Sequence, residues 1–69
     1  MSPKLSPRQA EVMSWLARGK TCSTIGTILG ISTHTVTFYK REVLARMGVA
    51  STVTACCILV RDGHIQLPA

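Results

Sequence analysis

Acidic side chains are scarce in this chain: three Asp and Glu stand against eight Lys and Arg in 69 residues, a net charge of +5. That imbalance suits an anionic partner, either a phosphate polymer or a membrane surface. Room is scarce as well. A chain this short forms one small domain that buries only about 60% of its unfolded surface, which leaves no second core and no deep, lidded pocket. Long apolar runs are missing: the longest, Ala55 to Val60, has six residues, against the roughly 20 that cross a bilayer. Met1 is followed by polar, Pro-containing sequence, so no signal peptide is expected. There is no CxxC, and His34 and His64 lie 30 residues apart without companion ligands, so no metal site is expected. Cys22, Cys56 and Cys57 are odd in number and two are adjacent, which excludes a disulfide framework. As reduced thiols they act as small apolar residues and point to a cytoplasmic location. There is no carboxylate pair, no nucleophile beside a positioned base and no phosphate-cradling glycine loop. No enzyme, no catalytic residue and no cofactor are therefore expected.

The chain does have an apolar fraction of 46%, too high for disorder, and regular punctuation by glycine and hydroxyl residues. Ser6-Pro7-Arg8-Gln9 reads as a helix start, with Ser6 as cap, Pro7 in the first turn and Gln9 completing a capping box. The helix is expected over about residues 7–18, stopped by Gly19, with Val12, Met13 and Leu16 inward and Trp15 at the edge. Thr21 caps a second helix over about 22–29 that ends at Gly30, with Ile25, Ile28 and Leu29 inward. Gly26 within it suggests close approach by another helix, since glycine otherwise costs helix stability. Ser32 caps a third helix, about 33–47, ended by Gly48. Its Thr33, Thr35, Val36 and Thr37 favour a strand by propensity. The caps, and the helical spacing of Val36, Val43 and Met47, override that preference. Ser51 caps a fourth helix over about 52–62, before Gly63; His64 onward reads as a short tail. The expectation is an all-α, compact four-helix domain over residues 1–69. Gly30-Ile31-Ser32 between the second and third helices has helix-turn-helix spacing. Many helical hairpins share such a turn and bind nothing.

On a helical wheel with Val36 at zero, His34, Thr37, Phe38, Arg41 and Ala45 gather on the side opposite the core and bring no carboxylate. This composition can read double-stranded DNA. Arg41 can pair with guanine O6 and N7, Phe38 can touch a thymine methyl and Thr37 can bond to base edges. Thr33 and His34, at the helix start, are placed for phosphates. The competing readings are that Phe38 packs against the second helix and that His34 is plain surface. Lys40 falls on the core side, about 40° from Val36, with its stem packed and its ammonium reaching out. Seven of the eight cations and two of the three acids lie in residues 1–47, which carry the whole +5; Arg61 and Asp62 cancel in the remainder. In the fourth helix Ala55, Cys56 and Leu59 form a core stripe, and Val53, Cys57, Ile58 and Val60, with Arg61 at the end, add surface for a second burial. The candidate partner there is a second copy, in a weak homodimer strengthened on DNA. Scattered apolar exposure on an isolated domain is the alternative.

Leu5-Ser6-Pro7-Arg8-Gln9, Glu11-Val12, Gly19-Lys20-Thr21, Ile25-Gly26, Leu29-Gly30-Ile31-Ser32, Thr35-Val36 and Met47-Gly48-Val49 with Ala55 follow one another in a specific order and spacing. In these stretches the chain resembles the LuxR-type (NarL/FixJ-like) DNA-binding domain of bacterial transcription regulators, over roughly Leu5 to Ile65. Thr35 to Phe38 look more like the quorum-sensing branch than the phosphorylation-controlled one. The resemblance implies a third helix in the major groove and a fourth that dimerises. By motif position it makes Thr37, Phe38 and Arg41 base-facing, and Lys20, Thr21, Thr33 and Arg46 phosphate-facing. It gives Glu11 an ion pair, and it adds RNA polymerase as a further partner.

The departures from the family pattern bear on affinity. Thr37 stands where a basic residue is frequent, Tyr39 where histidine is common, Lys40 where an apolar residue is common, and Thr52 where arginine often follows Ser51. Most members carry an N-terminal sensor domain, so the chain fits either an excised DNA-binding part or a single-domain regulator. The expected function is sequence-specific DNA binding in transcription regulation. The alternative is a protein-interaction module that uses the apolar fourth helix.

Overall fold

Four hydroxyl side chains open four helices in the same way. The computed structural model describes residues 4–66, and in them α1 (Pro7–Ala17), α2 (Cys22–Leu29), α3 (Thr33–Met47) and α4 (Thr52–Arg61). Ser6, Thr21, Ser32 and Ser51 each accept the backbone N–H three residues on, satisfying a donor the helix leaves open, for about 1 kcal/mol each. At Ser6 the capping box is complete, because Gln9 Oε1 also accepts from the Ser6 N–H at 3.0 Å. There is no strand among the described residues, and the β-branched run at the start of α3 is helical. Arg18 and Asp62, expected as last helical residues, are caps one position beyond α1 and α4. The expected domain, 1–69, extends three residues past the described ones at each end.

The core has two clusters. Val12, Ile25 and Val36 join α1, α2 and α3. Met13, Val43, Ala55, Cys56, Leu59 and Ile65 join α1, α3, α4 and the segment after it. α1 and α3 serve both clusters, while α2 and α4 make no contact with each other.

Three expectations need correction. Ile28, placed inward by its spacing, is 44% exposed. α2 is only 8 residues long and packs on α1 and α3 along one narrow stripe, which Ile25 and the half-buried Leu29 already fill. Ile65, assigned to a tail, is a core residue at 5% exposure. The His64 N–H returns to the Leu59 carbonyl at 2.9 Å, and this reversal after α4 turns Ile65 back onto the cluster. Gly26 does mark a close approach, but by the turn after its own helix and not by a second helix's flank. A Cβ there would lie 2.7 Å from the Ile31 carbonyl oxygen and 3.4 Å from the Thr33 nitrogen.

Candidate nucleic-acid interface

The turn between α2 and α3 sets the site. Gly30 takes the left-handed conformation (φ 71°) and the Ile31 N–H returns to the Gly26 carbonyl at 2.9 Å, the hydrogen bond of a Schellman-type stop. Ser32 then caps α3 at once. Buried Val36 and half-buried Tyr39 hold α3 against the first cluster. The opposite side of α3 is left to solvent.

On that side the structure brings together His34, Phe38 and Arg41, all exposed, with half-buried Thr37 beside them. Phe38 is 59% exposed, so it does not pack away under α2. Its ring lies 6.1 Å from the Tyr39 ring, tilted by 60°, so the half-buried aromatic flanks the exposed one. Arg41 has no carboxylate within ion-pair distance; among the described residues the ion pairs are Arg8–Glu11 and Arg61–Asp62. The Thr37 hydroxyl donates to the Thr33 carbonyl at 3.0 Å. In this rotamer its oxygen offers lone pairs, which match an amino group on a base edge. Glu42, the one carboxylate of α3, is half-buried and accepts from Gln9 Nε2 at 3.3 Å.

Four of the five phosphate candidates lie at two helix starts, and the fifth, Arg46, near the end of α3. Thr33 and His34 are the first residues of α3. Ser32 serves the Thr35 N–H, so the Thr33 and His34 N–H groups, in the first turn, are among those a helix leaves without intrahelical partners. Lys20 is exposed just before α2, and Thr21 is that helix's cap. The Thr21 hydroxyl is already engaged with the Thr24 N–H at 3.1 Å and the Thr24 hydroxyl at 3.0 Å. Arg46 is exposed near the far end of α3, where Nη1 donates to the Lys4 carbonyl at 3.3 Å. Lys40 is half-buried, as its place near Val36 on the wheel requires. Two features escaped the sequence reading. Gln9 is a buried polar side chain at 5% exposure that reaches α3. The Arg18 guanidinium stacks 4.8 Å over the Trp15 ring, beside Lys20. The i,i+3 spacing of Trp15 and Arg18 could have signalled the second; the capping box explains only half of the first.

The dimer candidates divide. Val53, Cys57, Val60 and Arg61 line an open apolar groove of about 430 Å³ whose other wall is Leu16 and Ala17 of α1. Val53 is 72% exposed. Ile58 does not line this groove; on α4 it lies about 160° around the helix from Val60, on the opposite flank. Arg61 donates to Asp62 at 3.0 Å, with the Arg61 side chain exposed and that of Asp62 partly covered. Cys56 also lines the groove but is buried, its Sγ 3.9 Å from the Met13 carbonyl, and burial followed by the neighbouring Cys57 pushes its thiol pKa up. No single helix among the described residues is long and apolar enough to cross a membrane.

The chain matches the family model for bacterial regulatory proteins of the luxR family over residues 3–59. It is 36% identical over 62 residues to the transcriptional activator protein PhzR of Pseudomonas fluorescens, covering 90% of this chain and 25% of that protein. It is 41% identical over 64 residues to the transcriptional activator protein SolR of Ralstonia nicotianae (93% and 27%). It is also 34% identical over 64 residues to the quorum sensing-dependent transcriptional regulator RpaR of Rhodopseudomonas palustris (93% and 26%). The chain thus spans about a quarter of the length of these relatives, which are named as two transcriptional activators and a transcriptional regulator. Four helices with a tight turn before α3, together with the match over residues 3–59, lead to one assignment: the chain belongs to the luxR family of bacterial regulatory proteins.

Proposed function

We propose that this domain binds double-stranded DNA sequence-specifically to regulate transcription, with α3 in the major groove. One observation carries the reading: the outer face of α3 presents Arg41, Phe38 and His34 to solvent while its only carboxylate is turned back to α1. Arg41 selects guanine, Phe38 contacts a thymine methyl and Thr37 accepts from a base amino group. Lys20, the Thr33 and His34 amides and Arg46 set register on the phosphates. The Thr21 hydroxyl, occupied by capping, contributes by fixing the start of α2. A second copy docks through the α4 groove at Val53, Cys57 and Val60. Such a groove is small beside the roughly 1,200–2,000 Å² of a standard interface, so the pair is weak in solution and gains from shared occupancy of one duplex. Two-fold pairing then calls for an inverted-repeat site with half-sites about one helical turn apart.

Selection from random duplexes, followed by a salt titration, tests the reading. With four to six phosphates contacted per protomer, the log–log salt slope is about −4 to −5. A slope near zero, with no sequence enriched, would overturn it. The exposed groove beside Val53 favours the second reading, a protein-interaction module, whose mark is association insensitive to salt.

A further inference from the structure

We propose that Gln9 is a positioning residue for α3: its amide clamps the Glu42 carboxylate to the start of α1 and so sets the angle at which α3 presents Arg41 and Phe38. The proposal rests on the DNA-binding reading above. Gln9 is 5% exposed and both ends of its amide are used. Oε1 accepts the Ser6 N–H at 3.0 Å, and Nε2 donates to Glu42 Oε1 at 3.3 Å, across 33 residues of sequence. Capping alone needs only the first of these bonds. The second joins the N-terminal turn of α1 to the middle of α3, next to Arg41 in sequence and next to buried Val43. A buried amide with a lost partner is costly, so the contact resists sliding of α3 over α1. The same bond keeps the helix's one negative charge off the face that meets phosphates.

The clamp and a mere charge effect predict opposite outcomes at Glu42. Glu42→Ala strands the Gln9 amide; Glu42→Gln removes the charge but keeps an acceptor. If the clamp positions α3, Glu42→Ala lowers affinity for the selected duplex about three- to tenfold. Affinity for a random duplex stays level or rises, because base contacts depend on helix angle more than phosphate contacts do. Glu42→Gln keeps selected-site affinity within about twofold. Gln9→Glu retains the cap but sets two carboxylates against each other and costs about tenfold. Adding Glu42→Gln to it restores binding, donor and acceptor having traded places. Equal behaviour of Glu42→Ala and Glu42→Gln, or no rescue in the double variant, would overturn the clamp. If the unaltered chain shows no salt-dependent DNA binding, the DNA reading falls. The clamp is then decided by thermal unfolding of the Gln9→Glu and Glu42→Gln single and double variants: rescue in the double supports it and additive losses refute it.

Discussion

The outer face of α3 and the groove beside α4 lie on one small domain and differ in nearly every physical respect. The first carries Arg41 and His34 with a solvent-facing Phe38, inside the segment that holds all the net charge. The second is walled by Leu16 and Ala17 of α1 and by Val53, Cys57 and Val60 of α4, and on the α4 side Arg61 and Asp62 pair with each other. α2, which sets the turn before α3, never touches α4. What passes between the two surfaces passes through α1 and α3, the helices shared by both core clusters. The difference teaches how 69 residues support two kinds of contact. In the proposed function, one uses charge and donors that stay hydrated until DNA arrives, and the other uses apolar surface that stays open until a second copy is held nearby.

The largest effect should come from removing what the two surfaces share. Leu59 is fully buried in the cluster that ties α4 to α1 and α3. Leu59→Ala should cost about 2–5 kcal/mol, against a total of order 3–10 kcal/mol for a domain of this size. Thermal denaturation should show a large drop in the midpoint, with DNA binding and pairing lost together. Retention of either one in a melted sample would mean the surfaces do not share a core.

Arg41→Ala should break only the first surface. Affinity for the preferred duplex should fall by about 1–3 kcal/mol, with relaxed choice at one base pair and pairing through α4 intact. An equal loss on preferred and random duplexes, measured by competition binding, would make Arg41 a phosphate contact. Val53→Asp should break only the second surface. Cooperative occupancy of a two-half-site duplex, worth roughly 1–3 kcal/mol, should vanish while single half-site affinity holds. Ile58→Asp sharpens the contrast, because Ile58 faces away from the groove and its charge should leave cooperativity largely intact. If Ile58→Asp abolishes cooperativity and Val53→Asp does not, the pairing surface is the opposite flank of α4.

Smaller still, Lys20→Ala should weaken all duplexes alike and flatten the salt slope by about one. Thiol alkylation separates the two adjacent cysteines. Cys57 is exposed in the groove, whereas Cys56 is buried with its pKa raised by burial, which keeps less of it as the reactive thiolate. Mass spectrometry should therefore find Cys57 modified first, with cooperativity reduced and half-site binding unchanged. Preferential labelling of Cys56 would contradict the packing of α4.

Much of this molecule is determined locally, and that part the sequence by itself decided. Each helix starts at a Ser or Thr whose hydroxyl serves an amide three residues away, and each is followed by a positive-φ glycine. Such bonds close within one turn of chain, so spacing alone reveals them. The outward set on α3 was legible for the same reason: a fifteen-residue helix has enough turns for its periodicity to name a face. Where a property depended on a partner far along the chain, only the tertiary structure decided it. The 8-residue α2 is too short for periodicity to tell an inward Ile25 from an exposed Ile28. Ile65 is drawn from what reads as a short tail because the reversal after α4 turns it onto the cluster that holds Met13 and Leu59. The two flanks of α4 look equally apolar in sequence, and only the position of α1 makes a groove of one of them. Gln9 announces its cap three residues away but not its second bond to Glu42, since that contact exists only after α1 and α3 have packed. Burial and long-range hydrogen bonds are properties of pairs of surfaces, and a linear pattern specifies only one surface at a time.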